Sequence, residues 1–292
     1  MSLKEPILTI FHNQKISILL QLKDGRLAVY SEDRIIKIYN RNYSISFVIN
    51  KIKSLINSMI QTKDEKLICG SYEITILKLN KNGYEIIQEI KTRTNKIIEI
   101  SDNNLISILG SDMRFYSIEN NKCKLKEEIK FEENVENLIK VNNEDLCLLL
   151  DNYNRMMSIN IYNIESKQIV IKLFEMKSKE SGEMCILQNK YLVVSLYLSL
   201  ILIDILEGYH VIHNIKTSFG CVVTFCYWKD LIFFSGDEIG DIIEWKINNN
   251  KIVKIKEYNN SKKTVRSIIK FNNNLIAAGT NDGLIKFYDL DI

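Results

Sequence analysis

Short apolar runs alternate with polar breaks along the whole 292-residue chain. Runs of this length, rich in Ile, Val, Leu, Tyr and Phe, predict β-strands. Some runs, such as "IIKIYN", "ITILKLN" and "LIKFYDL", alternate apolar and polar positions, while "KLICG" and "DLCLLL" are almost wholly apolar. Continuous runs suit strands buried on both faces, and alternating runs suit strands with one wet face. The breaks are built on asparagine ("NRN", "DNN", "VNNED", "INNNK", "FNNN"), with only eleven glycines and a single proline, Pro6. Asn tolerates the left-handed backbone and caps its own turn, so it can take the place of glycine.

The runs recur. Aligning each stretch on the leucine of its most apolar strand picks out Leu27, Leu67, Leu105, Leu146, Leu192, Leu231 and Leu275, at spacings of 40, 38, 41, 46, 39 and 44. Each unit has a first strand, the leucine strand, an alternating third strand and a more polar fourth one. That order at a period near 40 predicts an all-β, seven-bladed propeller of four-stranded antiparallel blades. The expected division is one domain, 1–292, with blades at about 13–49, 50–90, 91–131, 132–175, 176–215, 216–258 and 259–292 plus 5–12. The lysines of the fourth strands, Lys254 and Lys256 for example, fit a solvated outer edge.

The last unit has three strands only. "PILTIFHNQ" supplies a spare, Ile7 to Phe11, ahead of the first unit's own first strand. An open ring would leave an edge strand's donors and acceptors unpaired. Ile7 to Phe11 is therefore expected to pair onto Leu284 to Leu290 and close the ring.

This order resembles the WD-repeat family of β-propellers over essentially the whole chain. "AAGTNDGLIKFYDL" is similar to the family's small-residue strand, Asp-Gly turn and aromatic-Asp ending, at Asp282, Gly283, Tyr288 and Asp289. "SEDRIIKIYN" repeats the pattern with Asp33, Tyr39 and Asn40, and His12 stands four residues ahead of Ile16. The resemblance implies bracing networks of His, Ser or Thr, turn Asp and closing aromatic. Fragments of these are His12 with Asp33, Thr280 with Asp282, and Trp245 in blade six. It also implies that peptides or proteins dock on the face made by the turns between second and third strands and the loops leading into first strands.

Charge adds little: Lys and Arg exceed Asp and Glu by a net +3, which gives no case for nucleic acid. The opening residues lack a leader's apolar core, and "YLVVSLYLSLILID" is too short to span a bilayer and reads as two buried strands. Six cysteines without a CxxC read as reduced core residues, so the expected compartment is the cytoplasm. No catalytic residue is expected: His12, His210 and His213 are the only histidines, and no nucleophile elbow accompanies them. "HVIHNIKTSFGCVVTFC" matches no zinc spacing, "SGDEIGDIIEW" lacks the register of a calcium loop, and no phosphate loop occurs, so neither metal nor cofactor is expected.

The remaining candidate is surface. The residues projected onto the turn-rich face include Arg34, Tyr72, Glu73, Arg114, Tyr153, Arg155, Tyr197, Glu238 and Asp282. Tyr and Arg are common anchors at interfaces. Trp228, in "CYWKD", is expected in a turn, as an exposed anchor or packed on a neighbouring blade. Lys177 to Gly182 is expected to form an enlarged loop. The function expected is a non-enzymatic scaffold or adaptor for protein or peptide partners, a monomer alone or part of a hetero-complex. Two alternatives are a constitutive subunit of a larger assembly and a small-ligand or enzymatic propeller with a central-channel site.

Overall fold

The computed structural model describes residues 5–152, 154–177, 182–217, 220–258 and 262–290. Among them, seven sheets of four antiparallel strands form a ring, each sheet a blade. The first strands, Ile16–Gln21, Ser58–Gln61, Lys96–Ser101, Asn134–Lys140, Met184–Leu187, Val222–Lys229 and Val265–Lys270, lie side by side around the centre. Fourth strands such as Lys122–Lys130 and Lys251–Tyr258 form the outer rim, where exposed and covered residues alternate. The leucine strands are nearly all buried from end to end, as in Leu27–Ser31, Lys66–Gly70 and Tyr191–Leu196.

The core is a set of seven apolar clusters, one in each joint between neighbouring blades. A pleated strand sends successive side chains to opposite faces, so each blade feeds two joints. Phe233 packs toward blade five and Phe234 toward blade seven. This explains why the leucine strands carry no polar alternation: neither face is wet.

The hydrogen-bond register corrects the repeat alignment in two blades. The residue opposite the closing aromatic is Leu27 (Tyr39), Leu105 (Tyr116) and Leu146 (Tyr162), with Leu67 and Leu192 facing Leu77 and Ile203. In blades six and seven the position belongs to Phe233, opposite Trp245, and Ile276, opposite Tyr288. Leu231 and Leu275 are offset from it by two residues and by one. An offset of one turns a side chain to the other face, and so Leu275 packs toward blade one while Ile276 packs toward blade six.

Ring closure takes the expected form. Leu8–Phe11 pairs antiparallel with the last strand: Leu8 with Phe287, Thr9 with Lys286, Ile10 with Ile285 and Phe11 with Leu284. The His12 amide continues the pairing by donating to the Gly283 carbonyl at 2.6 Å. Leu8 and Ile10 also pack on the apolar cluster between blades seven and one.

Side chains pin several first strands, each an edge strand, to a neighbouring blade. Ser58 Oγ accepts the Ile97 amide at 3.1 Å, Thr224 Oγ1 that of Ile268 at 3.3 Å, and Ser267 Oγ that of Leu19 at 3.1 Å. At the other end, Gln61 Oε1 accepts the Lys23 amide at 2.8 Å and Glu99 that of Lys63 at 2.9 Å. Small residues let the blades approach. Gly70, Gly236 and Gly279 hold the same place in their strands, and a Cβ there would meet Ile97, Val265 or Ile16 of the next blade.

Asparagine does make turns. Asn120–Asn121 and Asn249–Asn250 have positive φ at both positions, the conformation of a tight two-residue hairpin.

Candidate interaction face

The antiparallel meander puts two sets of connections at one end of the ring. These are the turns between second and third strands and the loops leading into first strands, together called the upper face here.

Four of these connections, in blades one to three, are stitched together by hydrogen bonds. Arg34, in the turn after Leu27–Ser31, donates from Nη1 to the Lys53 carbonyl at 3.2 Å. In the loop that holds Lys53, Ser54 Oγ bonds Ser71 Oγ at 2.7 Å, beside Tyr72 in the turn of blade two. The Ser71 carbonyl accepts the Thr94 amide at 2.8 Å, and Asn57 Nδ2 donates to the Thr94 carbonyl at 3.1 Å. Arg93 lies over the Tyr72 ring at 4.7 Å, a cation–π contact. Tyr72 is 65% exposed and Leu55 47% exposed, and Arg34, Lys53 and Arg93 are exposed too. None of the ion pairs among the described residues involves Arg34, Lys53 or Arg93. The result is a rigid patch of cations around one bare aromatic ring.

The far side of the upper face has the opposite sign. Glu132, Glu133, Glu136, Asp151, Glu183, Glu238 and Asp241 lie on blades four to six. Burial raises the Glu136 carboxyl above its usual range, and the nearby Asp151 charge adds to the shift. Asp237, 2% exposed, is pushed up to about 6 by burial and by Asp241, despite amide hydrogen bonds from Gly240 and Asp241. Lys96 partly offsets this charge through an ion pair with Glu183 at 3.8 Å.

The expected anchors divide. Arg34 and Tyr72 come together in the patch, with Glu73 beside them. Arg155 and Tyr197 are exposed, but in the turns of blades four and five, where positive φ values of 61° and 53° hold them in tight hairpins. Arg114 is 13% exposed at its side chain and held between Asp112 (2.8 Å) and Glu128 (2.9 Å), so its charge is already spent inside the blade. Trp228 sits on a strand, not in a turn. It is 3% exposed, packs edge-on against Phe234 and carries the Lys270 ammonium at 4.8 Å from its ring, so it cannot act as an exposed anchor. Tyr153 lies outside the described residues, as do residues 178–181 of the enlarged loop.

The bracing residues are placed as follows. Asp282 accepts from Thr280 Oγ1, and Asp33 accepts from Ser31 Oγ at 2.6 Å and from the Ile35 amide at 3.1 Å, so both carboxylates clasp their own turns. His12 does not bond Asp33. Its Nε2 pairs with the Tyr39 hydroxyl at 2.5 Å, and burial together with the Lys37 charge lowers the imidazole to about 4, against the pull of Asp33. Trp245 donates from Nε1 to Ser235 Oγ at 2.8 Å and stacks on Phe233.

Lys53, Leu55 and Arg93 were not anticipated, although "NKIKSLIN" and "KTRTNK" are visibly basic stretches between blades. No group of three or more His, Cys, Asp and Glu among the described residues is placed to hold a metal ion.

No family model matches the chain, and no curated protein matches it in sequence. Solved structures do match. The β-propeller domain of Cps50 (Swd1) from Myceliophteria thermophila superposes with a TM-score of 0.77 at 10% identity, over 98% of this chain and 99% of that one. A chain of the mitotic checkpoint complex superposes with a TM-score of 0.79 at 11% identity, over 98% of this chain and 92% of that one. At such identities the likeness extends to the fold: a seven-bladed propeller.

Proposed function

We propose that the protein is a non-enzymatic interaction scaffold of the WD-repeat kind, which docks partner proteins or peptides on its upper face. The observation that carries this reading is the stitched patch of Arg34, Lys53, Leu55, Tyr72 and Arg93. An exposed tyrosine under an arginine, with further cations in no ion pair nearby, has the residue types that anchor interfaces and is well suited to a partner. Hydrogen bonds already hold its four loops, so docking orders little that is not ordered beforehand, which lowers the cost of association. That one structural neighbour is a chain of a multi-protein complex supports the same reading. No disulfide joins the six cysteines, and all are buried, which suits a reducing compartment such as the cytoplasm.

The test is affinity purification from native host cells, comparing wild type with Tyr72→Ala and with Leu206→Ala on the opposite face. The expected result is a partner lost from the Tyr72 variant and kept by the Leu206 variant. An unchanged set of partners across all three would overturn the assignment to this face.

A further inference from the structure

We infer that the segment received by the upper face is acidic, with an apolar side chain among its carboxylates. This rests on the scaffold reading above and adds the chemistry of the partner. Around Tyr72, three cations in no ion pair come from three different connections: Arg34 from the turn of blade one, Lys53 from the loop leading into blade two, and Arg93 from the loop leading into blade three. They outnumber Asp33 and Glu73, the unpaired carboxylates of the same turns, the first of which is taken up in clasping its own turn.

Their hydrogen bonding leaves them available. Arg34 spends one N–H on the Lys53 carbonyl, a neutral acceptor, and keeps the rest of its donors. Arg93 holds its guanidinium carbon 4.7 Å from the Tyr72 ring centroid and is in no ion pair among the described residues, so it can still take a carboxylate, the partner arginine binds most strongly. Arg114 shows the contrast within the same blades: two carboxylates already saturate it. Leu55, 47% exposed next to Ser54 and its bond to Ser71, supplies the apolar contact.

The layout favours a peptide over a nucleic acid. Glu32, Asp33 and Glu73 lie in the same turns as Arg34 and Tyr72. A continuous phosphate backbone would run across these carboxylates, whereas a peptide can place its own acids over the cations only. The acidic groups on blades four to six add direction, since a partner with a uniformly negative surface would be repelled there. The fitting occupant is an extended segment whose acids lie over blades one to three.

The test is selection of binders from an unbiased phage-displayed peptide library on the immobilised full chain. Three variants are run alongside: Lys53→Glu with Arg93→Glu, Tyr72→Ala, and Glu136→Gln as a control on the acidic side. Thermal melts establish that each is folded. The expected outcome is enrichment of peptides rich in Asp and Glu with an apolar residue. Affinity should fall about tenfold or more on the double charge reversal and weaken as salt rises. Glu136→Gln should bind them as well as wild type. Enrichment of neutral or basic peptides would overturn the inference, even if those peptides depended on Tyr72 and so left the scaffold reading intact. Absence of any enriched peptide would also overturn it. So would displacement of the peptides by single-stranded DNA that itself bound wild type and not the double variant, which would reassign the patch to nucleic acid.

Discussion

Asp237 illustrates how a buried turn carboxylate sets local energetics. It is 2% exposed and is raised from an ordinary 3.8 to about 6 because burial and Asp241 disfavour its charge. The folded protein therefore holds this proton more tightly than the unfolded chain does. The cost of the buried charge is absent below about pH 4 and is fully felt once pH has risen past about 6. Asp237→Asn keeps an oxygen for the Gly240 and Asp241 amides and carries no charge. The variant is expected to be more stable than wild type near pH 7 by on the order of 2 kcal/mol, with the difference vanishing near pH 4. Urea unfolding at both pH values measures this, and a difference independent of pH would refute it. At this scale the sequence was partly legible. Arg34 and Tyr72 were projected onto the upper face as residues of its turns, and both are exposed in turns there. Trp228 misled because "YWKD" looks like a turn, whereas its strand runs on to Lys229 and buries the ring. The His12–Asp33 pairing failed because a nearer donor to Asp33 is the Ser31 hydroxyl, two residues away, and local bonds form first.

Among the elements, the first strands are the most exposed to misassembly, since each is an edge lying against a neighbour with no strand pairing between them. The joint between blades seven and one has the Ser267 Oγ bond to the Leu19 amide among its supports. Ser267→Ala would leave that part-buried N–H without its acceptor and should cost about 1–3 kcal/mol. Ser267→Thr, which keeps the hydroxyl, should cost less. Equal stability of the Ala variant and wild type in chemical unfolding would show that the bond contributes nothing. The strand pattern itself was readable because strands buried on both faces are continuously apolar, and asparagine breaks marked their ends. Register in blades six and seven was not. "DLIFFSG" and "NNLIAAG" present several apolar residues in a row, so the leucine alone cannot say which face it takes. The cross-strand aromatic, Trp245 or Tyr288, is the better marker.

For the whole molecule, everything depends on the ring being closed. Leu8–Phe11 completes the seventh blade, covers the edge of the last strand and packs Leu8 and Ile10 onto the cluster that joins blades seven and one. Removing the first eleven residues forfeits four paired residues and that burial, on the order of 5 kcal/mol, a large share of what an ordinary domain has. The melting temperature should fall by roughly 10 °C or more. A truncated chain that melted as cooperatively and as high as wild type would show that the strand is dispensable. Closure matters for the proposed docking because the patch is built from loops of three blades, and its spacing is kept only while the joints between them hold. The fold could be read from period and count, since a repeat declares itself many times over. The proposed docking face could not, because the residues that complete it, Lys53, Leu55 and Arg93, come from lead-in loops that no repeat pattern aligns with Arg34 and Tyr72.

The most direct measurement is site-specific photo-crosslinking in native host cells, with p-benzoylphenylalanine placed in turn at Tyr72 on the upper face, Leu125 on the outer rim and Leu206 on the lower face. All three positions are well exposed, at 65%, 52% and 69%. The account predicts a discrete cross-linked partner from position 72 and none from 125 or 206. Partners captured from 125 or 206, with none from 72, would contradict it and move the interface to the side or the lower face of the ring.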